Sequence, residues 1–101
     1  MKRWYSECVR HFLAEYVPSI EIGSCPKFKS EAEKTNWVAC HEVLKTLNQR
    51  DLEIVAEMYR RGDTLADKIY FLSTTRNTSQ RDFWRLADDV EYRIAKKRGL
   101  I

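Results

Sequence analysis

Residues that break regular structure are scarce in this chain, with three glycines and two prolines in 101 positions. That scarcity excludes collagen-like and linker-type sequences. Long apolar runs are missing too. No stretch approaches the roughly 18 residues that a membrane-spanning helix requires. The opening segment, "MKRWYSECVRHFLAEY", is interrupted by Glu7, Arg10 and Glu15 where a secretory signal would carry an unbroken apolar core. The expectation is a cytoplasmic protein without a membrane partner. Cysteine is sparse and odd in number (Cys8, Cys25 and Cys40), which argues against a disulfide scaffold and fits a reducing compartment. Cys8 and Cys40 fall on apolar helical faces and are expected in the core.

Charge of one sign is also lacking. The 18 basic and 15 acidic side chains leave a net charge of +3. Residues 1–48 hold seven basic and six acidic groups, and residues 49–101 hold eleven and nine. A basic surface therefore has to be assembled by folding, because no basic tail supplies one.

What the chain does have is a 44% hydrophobic and 12% aromatic content, enough for one packed core. The apolar residues recur at helical spacing throughout. Trp4, Tyr5, Cys8, Val9, Phe12, Leu13 and Tyr16 form a stripe on a first helix, from about Lys2 to Tyr16, which Pro18 is expected to end. The segment "VPSIEIGSCPKFK" then reads as a loop anchored by Ile20, Ile22 and Phe28. Ser30 and Glu33 make a capping box for a second helix with Trp37, Cys40, Val43, Leu44 and Leu47 inward. Asn48 caps a third, with Leu52, Val55, Ala56 and Tyr59 inward, and Gly62 is expected as its left-handed C′ residue. Asp63 or Thr64 starts a short fourth helix carrying Leu65, Ile69 and Leu72. After a polar break, "STTRNTS", Thr78 or Ser79 caps a long fifth helix built on Phe83, Ala87, Val90 and Ile94. Gly99 should stop that helix, with Leu100 folding back. The predicted fold is an all-α, compact single-domain bundle of about five helices. Residues 1–29 form an N-terminal helix and loop, and residues 30–101 form a helical core with a helix-turn-helix-like pair at 64–98.

No constellation for catalysis stands out. A Gly-rich phosphate loop, a Ser-His-Asp pattern and a nucleophile elbow are all missing from the sequence. Asp88 and Asp89 are adjacent, so on a helix they point about 100° apart and cannot share a proton. Cys8, His11, Cys25, Cys40 and His41 lack the tight paired spacing of structural zinc sites. The expectation is a non-enzymatic protein with no cofactor and no metal.

The C-terminal half suggests nucleic acid instead. A helix-turn-helix braces one helix on the duplex backbone and sends the first turns of the next into the major groove. "DTLADKIYFL" would brace and "TSQRDFWRLADDVEYRIAKK" would read. Gln80, Arg81 and Arg85 are side-chain types that pair bidentately with adenine and guanine edges. Ser79 lies with Gln80 and Arg81 in the first turn of the reading helix, and Arg76, Asn77 and Thr78 stand where phosphate meets the positive end of a helix. Lys96 and Lys97, with Arg98, Arg60 and Arg61, would add sequence-neutral phosphate contacts. Against this, "STTRNTS" is long for such a turn, and Asp82, Asp88, Asp89 and Glu91 place four acids on the reading helix.

The stretch "LKTLNQRDLEIVAEMYRRGDTLADKIYFLSTTRNTSQRDFWRLADDVEYRIAKKRGLI" resembles the C-terminal DNA-binding region of bacterial sigma factors. It is still more similar to small phage-encoded transcriptional regulators of Firmicutes related to ArpU and RinA. Leu52, Ile54 and Tyr59, the segment "TSQRDFWRL" and the ending "IAKKRGL" carry the likeness. It implies a phage or prophage transcription regulator that binds promoter DNA through Gln80, Arg81 and Arg85, and two-fold operators would make it a homodimer. A rival expectation from a different class is a phage accessory protein that binds a host protein. Its surface would be the aromatic stripe "WYSECVRHFLAEY", if that stripe exceeds what the core can hide.

Overall fold

In the computed structural model, which describes residues 3–23 and 26–101, five helices follow one another with no strand among the described residues. They are α1 (Ser6–Ile22), α2 (Glu31–Leu44), α3 (Gln49–Tyr59), α4 (Leu65–Thr75) and α5 (Gln80–Arg98). The all-α bundle read from the apolar periodicity is the fold. The long α5 is its axis, packed chiefly against α2 and also against α4 and α1, while α3 joins α1 to α4. No described helix is long and apolar enough to cross a membrane.

Four of the helix starts are fixed by local chemistry. Each of the first-turn N–H groups that lack a partner inside the helix needs an outside acceptor. Ser30 Oγ accepts from the Glu33 N–H (3.1 Å), Asn48 Oδ1 from Asp51 (2.8 Å), Thr64 Oγ1 from Asp67 (3.2 Å) and Ser79 Oγ from Arg81 (3.2 Å). Such caps contribute about 1 kcal/mol each. At the other end of α5, Gly99 is left-handed (φ 83°). Its N–H reaches Lys96 O (3.2 Å) and the Leu100 N–H reaches Ala95 O (2.9 Å), a Schellman motif. Leu100 seats against the core, as the sequence predicted.

Three local expectations are corrected. First, α1 runs through Pro18 to Ile22. A proline inside a helix costs about 3 kcal/mol, because its ring meets a carbonyl and one hydrogen bond is lost. Burial outweighs that cost: Val17 is fully enclosed and Ile20 packs on the core, so the stripe continues past the proline, whose own ring faces solvent. Gly23 (φ 72°) then ends the helix, its N–H donating to Ser19 O at 2.8 Å. Residues 17–22 are thus helix, not loop. Second, Cys8 and Trp4 face outward. Cys8 precedes Val9 by one residue, which turns it about 100° off the buried face, and Trp4 lies before the helix begins. Cys40 is in the core as expected, and burial pushes its thiol up to about 12. Third, α3 ends at Tyr59 with an extended Arg60, so Gly62 (φ 129°) shapes the following turn and is not a left-handed cap residue.

The core gathers Val9, Leu13, Leu44, Val55, Ile69, Val90 and Ile94 from all five helices. One charged side chain lies among them. Glu91, 2% exposed, receives Arg10 Nε from α1 at 2.9 Å and Tyr59 Oη from α3 at 2.5 Å, both on Oε2. Expected from the sequence as one of four acids on the reading helix, it is instead turned into the interior. Burial, followed by the charge of Glu91, holds the Tyr59 phenol well above its ordinary range.

Arg10→Ala would leave the carboxylate buried with a single phenol, at a cost of about 3–5 kcal/mol. Glu91→Met should cost less, about 1–3 kcal/mol, because Arg10 is 22% exposed and can turn to water while only the Tyr59 hydroxyl is orphaned. Urea melts check the ranking, and the reverse order would show that the carboxylate is not the dependent group. A phenol with a raised folded pKa stabilises fully below the unfolded value near 10, and that contribution is lost as pH rises through the folded value. Stability should therefore fall in strong alkali, and less steeply for Tyr59→Phe.

Candidate nucleic-acid interface

The α4–α5 connection is four residues, 76–79, because Ser73, Thr74 and Thr75 belong to α4. "STTRNTS" is accordingly not a long break. The reason is local: all three side chains bond back to carbonyls of the preceding turn, Ser73 and Thr74 to Tyr70 O and Thr75 to Phe71 O, which keeps polar residues helical. Asn77 then turns left-handed (φ 49°), and the Thr78 N–H reaches Ser73 O at 3.1 Å, closing α4 with asparagine in the role glycine usually fills. Two residues later Ser79 caps α5. The chain thus reverses from one helix into the next in the space a helix-turn-helix requires.

Around α5, at 100° per residue, Arg81, Arg85, Tyr92 and Lys96 fall within about 60° of one another. All four are exposed, and they lie opposite the buried stripe of Phe83, Ala87, Val90 and Ile94. Arg76, Arg81, Arg85 and Lys96 have no side-chain ion pair or hydrogen bond among the described residues. The other predicted residues divide. Gln80 is exposed but lies about 100° round from Arg81. Thr78 is half-buried, with its hydroxyl donating to Arg76 O (3.1 Å). Asn77 and Ser79 shape the turn. Lys97 is exposed about 100° round from Lys96, and its charge reaches Glu42.

Several cations expected to meet phosphate are already engaged. Arg60 pairs with Glu57 (3.1 Å), Arg61 with Glu15, and Arg98 Nε donates to Asn36 (2.6 Å). The acids divide as well. Glu91 points into the core, and Asp82 is about 60° or more round from the arginines. Asp88 and Asp89 border the stripe, about 20° from Arg81 and from Lys96 respectively; Asp88 is half-buried in a cleft with Arg3, Tyr5 and Ser6, and Asp89 is exposed, 3.7 Å from Arg93. No group of three or more His, Cys, Asp or Glu side chains comes together to hold a metal among the described residues, and Cys25 lies outside them.

Sequence reasoning missed Tyr92, although its spacing of seven from Arg85 and four from Lys96 was there to read. It also missed the inward turn of Glu91, signalled by its place between Ala87 and Ile94. The aromatic stripe of α1 is spent on the core: Tyr5, Val9, Leu13, Tyr16 and Val17 are buried. The most exposed aromatics are Tyr70 (65%) and Phe71 (64%) on α4 and Trp4 (73%), with Tyr92 on α5 less so.

A left-handed Asn77 tolerates glycine and resists β-branching. Asn77→Val should cost about 1–2 kcal/mol relative to Asn77→Gly in thermal melts, and equal stabilities would contradict the turn described here. Comparison with known proteins supplies no relative: no family model matches the chain, and neither does any curated protein or solved structure.

Proposed function

We propose that this chain is a small non-enzymatic DNA-binding transcription regulator of phage or prophage type, in which α4 braces on the duplex and α5 reads it. The observation that carries the reading is the four-residue turn leading into a helix whose Arg81 and Arg85 stand free, side by side and outward. Guanidinium groups in this position suit guanine edges. Arg76 and the first-turn N–H groups of α5 suit a phosphate at a helix N-terminus. Lys96 lies 15 residues beyond Arg81, about 22 Å along the axis, outside a major groove about 12 Å wide and near its phosphate wall. The likeness to ArpU- and RinA-related regulators points the same way, and a two-fold operator would call for two copies of the chain.

A second reading rests on Tyr70 and Phe71. Two adjacent aromatics, both well exposed on the outer face of α4, suit a protein partner, such as a host protein bound by a phage accessory factor. This surface replaces the α1 stripe as the seat of that alternative.

The two are separated by titrating labelled duplex from upstream of the gene, and a scrambled duplex, with wild type and with Arg81→Ala plus Arg85→Ala. The regulator reading expects tighter binding to the upstream duplex and a loss of about 1–3 kcal/mol per base contact in the variant. Equal affinity for both duplexes, or an unchanged variant, overturns it.

A further inference from the structure

The end of α2 and the last turns of α5 enclose a groove of about 670 Å³ lined by Glu42, Lys45, Thr46, Arg93, Lys96 and Lys97. Four cations from two helices converge here, although residues 45 and 93 lie far apart in sequence and neither was expected to act together with Lys96 and Lys97. The Thr46 hydroxyl donates to Val43 O (2.7 Å) and accepts from Arg93 Nη2 (2.7 Å), which holds the guanidinium on the groove wall. Lys45 Nζ lies 2.7 Å from Glu42, and Arg93 lies 3.7 Å from Asp89.

Cations at helix C-termini have an ordinary explanation, since each end carries about half a negative charge. Here that explanation falls short. Two helix ends and two carboxylates offset about three of the four cations, leaving about one positive charge, enough to balance the single negative charge of one phosphodiester. Lys96 belongs both to this groove and to the outward stripe of Arg81, Arg85 and Tyr92, so the groove opens beside the reading face.

We infer that the Lys45–Arg93–Lys96–Lys97 groove holds one phosphate of the duplex backbone, fixing α5 in register on the DNA without reading sequence. The inference rests on the DNA-binding reading above and adds a second contact to it. Glu42 is the groove's internal competitor, because it occupies Lys45 until a phosphate replaces it.

Anisotropy titrations of the upstream and scrambled duplexes across 50–200 mM salt, the range over which counterion release is read, test it with three variants. Lys45→Ala plus Lys97→Ala should weaken both duplexes by the same factor, about five- to tenfold, and flatten the salt slope by about 0.9. Glu42→Gln should tighten both. A charge-matched control away from the groove, Lys29→Ala plus Lys34→Ala, should leave the slope unchanged. All of the substituted lysines are exposed, so the variants fold, and matched thermal melts verify it. An unchanged slope in the groove variant, while Arg81→Ala plus Arg85→Ala still removes the preference for the upstream duplex, overturns the groove and leaves the regulator standing. A groove variant that alters only that preference makes these lysines base readers and also overturns it. If wild type shows no salt-dependent binding to either duplex, both proposals fall.

Discussion

The fold is organised around one buried carboxylate. Glu91 is buried at the edge of a small core, and a charge there is tolerable only when paired and hydrogen-bonded. Arg10 and Tyr59 supply those partners from α1 and α3. The consequence is geometric as much as energetic. Apolar packing alone lets a helix rotate slightly about its axis at little cost, whereas a carboxylate with two fixed donors sets the rotation of α5. With Glu91 turned in, Arg81, Arg85, Tyr92 and Lys96 must point out. The interior polar cluster and the exposed basic stripe are two sides of the same constraint.

Folding also sorts the charges. In the sequence the basic excess is slight and evenly spread. In the structure, Arg10, Arg60, Arg61, Arg93 and Arg98 are engaged with Glu91, Glu57, Glu15, Thr46 and Asn36. Cations with no side-chain partner among the described residues include Arg81, Arg85 and Lys96 on α5, and Lys29, Lys34 and Arg50 on other parts of the surface.

Apolar groups are sorted in the same way. The dense aromatic stripe of α1 is consumed by the core, which is why that helix continues through Pro18: each further turn buries Val17 or Ile20. Tyr70 and Phe71 are left outside because α4 packs only through Leu65, Ile69 and Leu72, and its other face has no neighbouring helix.

The caps and the apolar periods were legible in the sequence because they depend on neighbours three or four residues away. Ser30, Asn48, Thr64, Ser79 and Gly99 set helix ends through bonds within a single turn, so the number of helices and most of their starts follow from local chemistry. The run of α1 through Pro18, the inward turn of Glu91 and the meeting of Lys45 with Arg93 and Lys97 depend on packing between segments distant in the chain. Residue order specifies which side chains share a helical face. Only the assembled bundle decides which of those faces is buried, which charges find partners and which remain open, because burial and pairing are properties of the space between helices.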